Sequence, residues 1–191
     1  MKNILFICTG NTCRSPMAEA VLRAKAGDRF DVRSAGVFAA SGHPAAQAAS
    51  QVLSSQGIEM NHRSTMLNEE LIEWADVILT MTQNHKSVVL QQFPQSVGKV
   101  YMLKEYADDD SKAKEIWERL DACYAELETE RALNHGEEVH RLEKEIRSLE
   151  ESLPSYDISD PYGGNVEEYQ AVYEELDGWL ERLIKKEEAG D

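Results

Sequence analysis

Cysteine and positive charge are both scarce in this sequence, and no apolar run is long; each shortage removes a class of protein. Three unevenly placed cysteines, Cys8, Cys13 and Cys123, are too few for a disulfide framework and read as thiols of a reducing compartment, leaving at least one free for chemistry. Lys and Arg number 20 against 35 Asp and Glu, a formal charge of −15. That balance argues against a nucleic-acid backbone or an anionic membrane as partner and suits a basic substrate protein. No stretch nears the length that spans a bilayer, and no basic start leads into a signal-type apolar segment, so a cytoplasmic protein is the expectation. The five histidines, at 43, 62, 85, 135 and 140, form no ligand spacing with the cysteines. Neither a metal nor a cofactor is expected.

What the sequence does have is an alternation of two periodicities. Strand-like runs fall at Ile4 to Ile7, Phe30 to Arg33, Asp76 to Leu79 and Val100 to Leu103. Between them lie helical patterns at Met17 to Ala26, Ala45 to Ser55, Asn68 to Trp74 and Asn84 to Phe93, and apolar positions from Tyr169 to Leu183 give one face of a closing helix over Val166 to Ile184. Strand and helix in turn predict right-handed crossovers, a mostly parallel sheet and helices on both faces, a three-layer α/β sandwich. At 191 residues, one such domain spanning the whole chain is the natural size.

Residues 104–151 break the pattern, and about half of the negative excess falls there. Apolar residues recur at Ile116, Leu120, Cys123 or Tyr124 and Leu127, then at Val139, Leu142, Ile146 and Leu149, with Asn134-His135-Gly136 between them. This spacing predicts two amphipathic helices and a turn, an acidic helical hairpin inserted at about residues 105–153. A solvated, salt-bridged hairpin with one packed seam and a partner-docking surface are both open readings.

The first strand-like run ends in Cys8-Thr9-Gly10-Asn11-Thr12-Cys13-Arg14-Ser15. A glycine-bearing loop between a strand and a helix N-terminus turns backbone N–H groups toward a common centre, where the helix dipole also favours negative charge. Thr9, Gly10, Asn11, Thr12, Cys13 and Ser15 are therefore expected to cradle an anion. No Gly-Lys-Ser/Thr follows, so the loop is not a nucleotide P-loop, and it lacks the glycines of a dinucleotide fingerprint. It carries instead a guanidinium, Arg14, whose planar donors match two phosphate oxygens, and a thiol, Cys8, whose thiolate the same groups stabilise. A thiolate facing a bound phosphoryl group is a nucleophile. Alone, Cys8 could be an inert strand-end cysteine and Ser15 a helix cap; Cys-x5-Arg-Ser between strand and helix favours the catalytic reading.

The motif CTGNTCRSPMAEA at residues 8–20, with Ser34-Ala35-Gly36, Asn61 to Ser64, Asp76 to Met81 and Asp160-Pro161-Tyr162-Gly163, resembles the low-molecular-weight protein tyrosine phosphatases. The resemblance spans nearly all of the chain outside the insertion. It implies a four-stranded parallel sheet, a cysteinyl-phosphate intermediate, no metal, and a general acid in an Asp-Pro loop, which falls on Asp160. Asp157 stays an alternative acid. The resemblance further implies that Asn11, Ser15, Ser34 and His62 hold the loop open, and that Cys8 and Cys13 form a reversible protective disulfide, although Cys13 also reads as a small residue buried under the loop.

One loop position departs from the tyrosine phosphatases. They usually carry Ile or Leu just before the second cysteine, to pack on an aromatic ring; here Thr12 stands, as in the protein arginine phosphatase branch that the sequence most resembles. Its hydroxyl and small size imply a guanidinium-type leaving group. Tyr162, followed by Gly163-Gly164 and no second aromatic, agrees, and Phe38 is a candidate pocket wall. The expected substrates are arginine-phosphorylated or, alternatively, tyrosine-phosphorylated proteins. An arsenate reductase would need two further cysteines in a mobile segment, and a non-catalytic phosphate-binding module would lack the nucleophile or the acid.

Overall fold

In the computed structural model, which describes residues 1–108 and 110–190, the first apolar run forms the interior of strand β1 (Lys2–Cys8). Helix α1 (Arg14–Ala26) leads to β2 (Phe30–Gly36), then come α2 (Gln47–Ser55), α3 (Glu69–Trp74), β3 (Val77–Thr80), α4 (Gln83–Gln92), β4 (Val100–Met102), α5 (Leu103–Ala107), α6 (Ser111–Ala132), α7 (Gly136–Ser152) and α8 (Val166–Gly190). The four strands make one sheet in the order β2-β1-β3-β4, every pair parallel, with Cys8 beside Gly36 and Ile7 beside Thr80. The chain reverses its winding direction between β1 and β3, and at such a point the loops beyond the strand ends separate and leave a crevice.

β1 is buried on both faces, as a near-continuous apolar run in a parallel sheet requires. Ile4, Phe6 and Cys8 pack with α1, α2 and α8, through Met17, Val21, Leu53, Leu176 and Leu180. Leu5 and Ile7 pack on the opposite side with Leu71 and Ile72 of α3 and Val89 of α4. The period of two thus puts the Cys8 side chain on the α1 face. Asn68 caps α3 by accepting the Leu71 N–H at 2.9 Å, and Thr82 caps α4 by accepting the His85 N–H at 3.2 Å.

Several boundaries differ from expectation. α1 starts at Arg14, three residues before Met17, because Pro16 fits a first helical turn whose N–H groups have no intrahelical partner. β3 runs one residue later than expected, and Asp76 Oδ2 instead accepts the Asn3 N–H at 2.8 Å. Leu103 opens α5, a helix that periodicity alone did not suggest; Leu103 and Ala107, one turn apart, bury into the α1 face of the core.

The chain divides into two compact units, Met1–Ala107 with Tyr156–Asp191, and Asp108–Ser155. The second is the helical hairpin. Its seam joins Leu120, Cys123 and Leu127 of α6 to Leu142 and Ile146 of α7. Cys123 is the inward residue of the ambiguous pair, and Tyr124, 45% exposed, donates from its hydroxyl to Glu150 at 2.6 Å. Burial and that carboxylate push the Tyr124 phenol up to about 12. Arg119–Glu145, Arg131–Glu143 and Arg141–Glu138 pairs lace the surface, each worth little singly in water. Among the described residues no helix is long and apolar enough to cross a membrane.

Candidate active site

The loop from Cys8 to Cys13 is held in shape at Asn11. This residue takes a left-handed backbone (φ 54°), which asparagine tolerates better than most residues, and it is fully buried. Every polar group of its side chain is used: Nδ2 donates to Ser15 Oγ at 2.9 Å and Ser34 Oγ at 2.8 Å, and Oδ1 accepts the Thr65 N–H at 2.8 Å. His62 Nε2 lies 2.8 Å from the Asn11 carbonyl, which only accepts, so that nitrogen carries the proton. Gly36 lets the end of β2 lie against the loop, since a Cβ there would come within 2.5 Å of the Thr9 carbonyl oxygen and 2.9 Å of the Asn11 nitrogen. The structure therefore brings Asn11, Ser15, Ser34 and His62 together around the loop, out of contact with the cavity it encloses.

Cys8 is buried at the base of the loop. Its Sγ receives the Asn11 N–H at 3.3 Å and lies 2.9 Å from Ser15 Oγ. Because Ser15 Oγ already accepts from Asn11, its own hydrogen can go to the sulfur or to the more distant Ala35 carbonyl at 3.5 Å. Ser34 in turn donates to Glu19 Oε2 at 2.5 Å. Glu19 was not a sequence candidate; it sits one helical turn after Ser15, a spacing that could have pointed to it. Ser15 is therefore a partner of the thiol rather than a helix cap: Cys13 holds the cap position of α1 and makes no side-chain capping bond.

Arg14, almost fully buried, ties this loop to one that lies 146 residues further along the chain. Its Nη1 donates to the Ile158 carbonyl at 3.2 Å and its Nη2 to Asp160 Oδ2 at 3.0 Å. The Asp160 side chain is 55% exposed, and its Oδ1 accepts the Tyr162 N–H at 3.1 Å. Gly163 then turns the chain at φ 77°, a conformation that favours glycine. The alternative acid is engaged elsewhere: Asp157 Oδ1 accepts the Gln83 N–H at 2.8 Å.

Cys8, Thr9, Gly10, Thr12, Cys13, Arg14, Asp160 and Tyr162 line a cavity of about 290 Å³. Phe38 is not in that wall; its backbone N–H donates to the Thr9 carbonyl at 3.0 Å and the residue is 63% exposed. Cys13 is buried and free, as is Cys8, and Cys13 Sγ lies 3.1 Å from the Tyr169 hydroxyl on α8. Burial and the Cys13 sulfur push that phenol upward.

One neighbour went unnoticed in the sequence. His85, 3% exposed at the start of α4, places Nε2 2.8 Å from Thr9 Oγ1 and Nδ1 3.0 Å from Thr82 Oγ1. Burial first, then the Arg14 guanidinium, push its imidazole down to about 4, against opposing pulls from Asp160 and Asp157. An unfolded chain takes up this proton near the ordinary value of 6.5. In the window between these values the unfolded state binds more protons, so stability falls as pH falls, by about 3 kcal/mol at the bottom of the window. His85→Gln should remove this component. Urea unfolding at pH 7 and at pH 4.5 is expected to show a smaller pH-dependent loss for the variant than for the wild type; equal losses would mean that the folded imidazole titrates normally.

A thiol and a guanidinium in a strand-to-helix loop, faced by a carboxyl group at the carboxyl end of a parallel sheet, define a cysteine-dependent phosphatase. A family model described as low molecular weight phosphotyrosine protein phosphatase matches residues 3–155, and the chain belongs to that family. A protein-arginine-phosphatase of Geobacillus stearothermophilus is 36% identical over 183 residues, covering 96% of this chain and 94% of its own. Among solved structures, the YwlE arginine phosphatase from Geobacillus stearothermophilus superposes with a TM-score of 0.74 at 35% identity, over 100% of this chain and 95% of the other. A YwlE arginine phosphatase mutant, with a serine in place of an active-site cysteine and that serine phosphorylated, gives 0.71 at 33% identity, over 96% and 94%.

Proposed function

We propose that the protein is a protein arginine phosphatase in which Cys8 is the nucleophile, Arg14 the oxygen clamp and Asp160 the general acid. The Cys8 thiolate attacks phosphorus, the S–P bond forms and the N–P bond to the guanidino group breaks, while Asp160 gives its proton to the departing nitrogen. The Asp160 carboxylate then takes a proton from water, whose oxygen attacks the phosphocysteine, and the S–P bond breaks to release phosphate and the thiolate. Arg14 donates to both the Ile158 carbonyl and Asp160, and a bound phosphoryl group would compete for the same guanidinium. That competition would free Asp160 to meet the leaving atom. The phosphorylated serine at an active-site position of a similar arginine phosphatase supports a covalent intermediate.

Thr12 is the observation that carries the arginine reading. It lines the cavity, where its hydroxyl can hydrogen-bond a guanidinium-type leaving group and its short side chain offers an aromatic ring less packing surface than Ile or Leu would. Relatives named arginine phosphatase from two organisms match along nearly the whole chain. Cys13, free and in the same wall, is the proposed resolving partner if peroxide oxidises Cys8.

Thr12→Ile tests specificity. It removes the hydroxyl and adds apolar surface worth on the order of 1 kcal/mol to a ring that can touch it. Phosphoarginine turnover should fall and phosphotyrosine turnover rise, shifting the ratio of the two kcat/KM values at least about tenfold, roughly 1.4 kcal/mol of differential transition-state binding. An unchanged ratio, or a wild type that already prefers phosphotyrosine, would replace this reading with that of a tyrosine phosphatase, the activity named in the description of the matching family model.

A further inference from the structure

Thr9 and His85 have no part in the steps above, yet they meet at the cavity wall. Thr9 follows the nucleophile in the loop, is exposed and lines the cavity, and its Oγ1 lies 2.8 Å from His85 Nε2. On the far side of the ring, Thr82 Oγ1 lies 3.0 Å from Nδ1 and also accepts the His85 backbone N–H at 3.2 Å. A neutral imidazole has one donor and one acceptor nitrogen, so two arrangements of the proton exist. With the proton on Nε2, Thr82 Oγ1 accepts the backbone N–H and gives its own hydrogen to Nδ1, which uses both roles of the hydroxyl within the cluster. With the proton on Nδ1, that oxygen would accept twice and its hydrogen would have to leave the cluster. The first arrangement is favoured, and burial beside Arg14 keeps the ring neutral at neutral pH.

The proton on Nε2 then occupies a lone pair of Thr9 Oγ1, and the Thr9 hydrogen has to point elsewhere. The cavity is the open direction. A phosphoryl group there offers only acceptors, which is the complement this hydroxyl needs. We propose that His85 is a positioning residue of the phosphate loop, holding the Thr9 hydroxyl so that it donates to a phosphoryl oxygen bound over Cys8. Thr9 adds a side-chain donor to those of the loop backbone and Arg14. The inference rests on the phosphatase reading but not on the choice of arginine over tyrosine, because the phosphoryl group is common to both substrates.

A double-mutant cycle tests it. Thr9→Val keeps the shape of the side chain and removes the hydroxyl. It should lower kcat/KM by about tenfold, and by the same factor on a phosphoarginine peptide, a phosphotyrosine peptide and an aryl phosphate, with weaker inhibition by orthovanadate. His85→Phe should cost about fivefold in the wild-type background and nothing further in the Thr9→Val background, a coupling that a purely structural histidine would not show. Long-range 15N spectra of the wild type should show His85 protonated at Nε2. Unchanged kinetics of Thr9→Val overturn the proposal, as do equal costs of His85→Phe in both backgrounds, a loss confined to phosphoarginine, or protonation at Nδ1. Thr9 is exposed, so Thr9→Val and the spectrum decide the matter even if His85→Phe fails to fold. A wild type inactive on all three substrates would instead sink the phosphatase assignment, a result distinct from each of these.

Discussion

Replacing Cys8 with serine is expected to abolish turnover, by at least about four orders of magnitude, while inorganic phosphate still binds within several-fold of its wild-type affinity. The two halves of this expectation have separate structural causes. The proposed anion site draws on the loop backbone, Arg14 and the Asn11 geometry that His62, Ser34 and Ser15 maintain, and these persist in the variant because a serine oxygen can take over the Asn11 N–H and Ser15 contacts of the sulfur. The nucleophile is another matter. Ser15 and the Asn11 N–H both lie within hydrogen-bond reach of the sulfur, and a thiol is intrinsically a far better nucleophile than a serine hydroxyl, which would have to lose its proton during attack. Incubation with a phosphoarginine peptide, followed by intact mass measurement, should reveal at most slow transfer of one phosphoryl group to the introduced serine, because the resulting O–P ester is a far poorer substrate for water than a thiophosphate. Substantial turnover by Cys8→Ser would exclude a phosphocysteine intermediate.

Asp160→Asn should separate substrates by their leaving groups. Asparagine can still accept from Arg14 and from the Tyr162 N–H, so the loop should keep its place, but it has no proton to give. For phosphoarginine, whose guanidino nitrogen leaves poorly unless protonated, kcat should fall by about 10²–10⁴. An activated aryl phosphate, whose oxygen departs as a stable anion, should lose no more than about tenfold. The measurement is kcat for both substrates across pH, in wild type and variant. Equal losses on the two would move the acid role away from Asp160, and Asp157 would be tested next, although its carboxylate already accepts the Gln83 N–H.

Neither prediction involves a residue of the hairpin. Its seam is closed by its own Leu120, Cys123, Leu127, Leu142 and Ile146, and Cys123 is consumed by that packing, which takes the third thiol out of contention for chemistry. The apolar spacing found most of the seam but missed Trp117 and Leu153, which pack against it, and could not choose between Cys123 and Tyr124, adjacent residues at the edge of an apolar stripe. Packing chose the smaller one, because the tyrosine hydroxyl keeps a partner only at the surface, on Glu150.

What the sequence determined by itself is what short-range physics controls. An apolar run buried on both faces had to be an inner strand, its period of two set the side to which Cys8 points, and Cys-x5-Arg between that strand and a helix placed thiol and guanidinium in one turn of chain. Asn68 and Thr82 cap two helices for an equally local reason, that a side-chain oxygen beside free N–H groups captures one, although the helical pattern put the second start at Asn84. Tertiary structure decided the rest, because it depends on which distant segments the sheet order brings together. Asp160 reaches Arg14 across 146 residues, Ser34 and Thr65 reach Asn11 from the far side of the loop, and His85 reaches Thr9 from the next strand's helix. Phe38, which its place in the loop after Ser34-Ala35-Gly36 made a candidate pocket wall, is largely exposed and outside the cavity lining. Periodicity and turn chemistry act over a few residues and can be read in order along the chain; a hydrogen bond between loops on different strands exists only once β1 has been placed between β2 and β3.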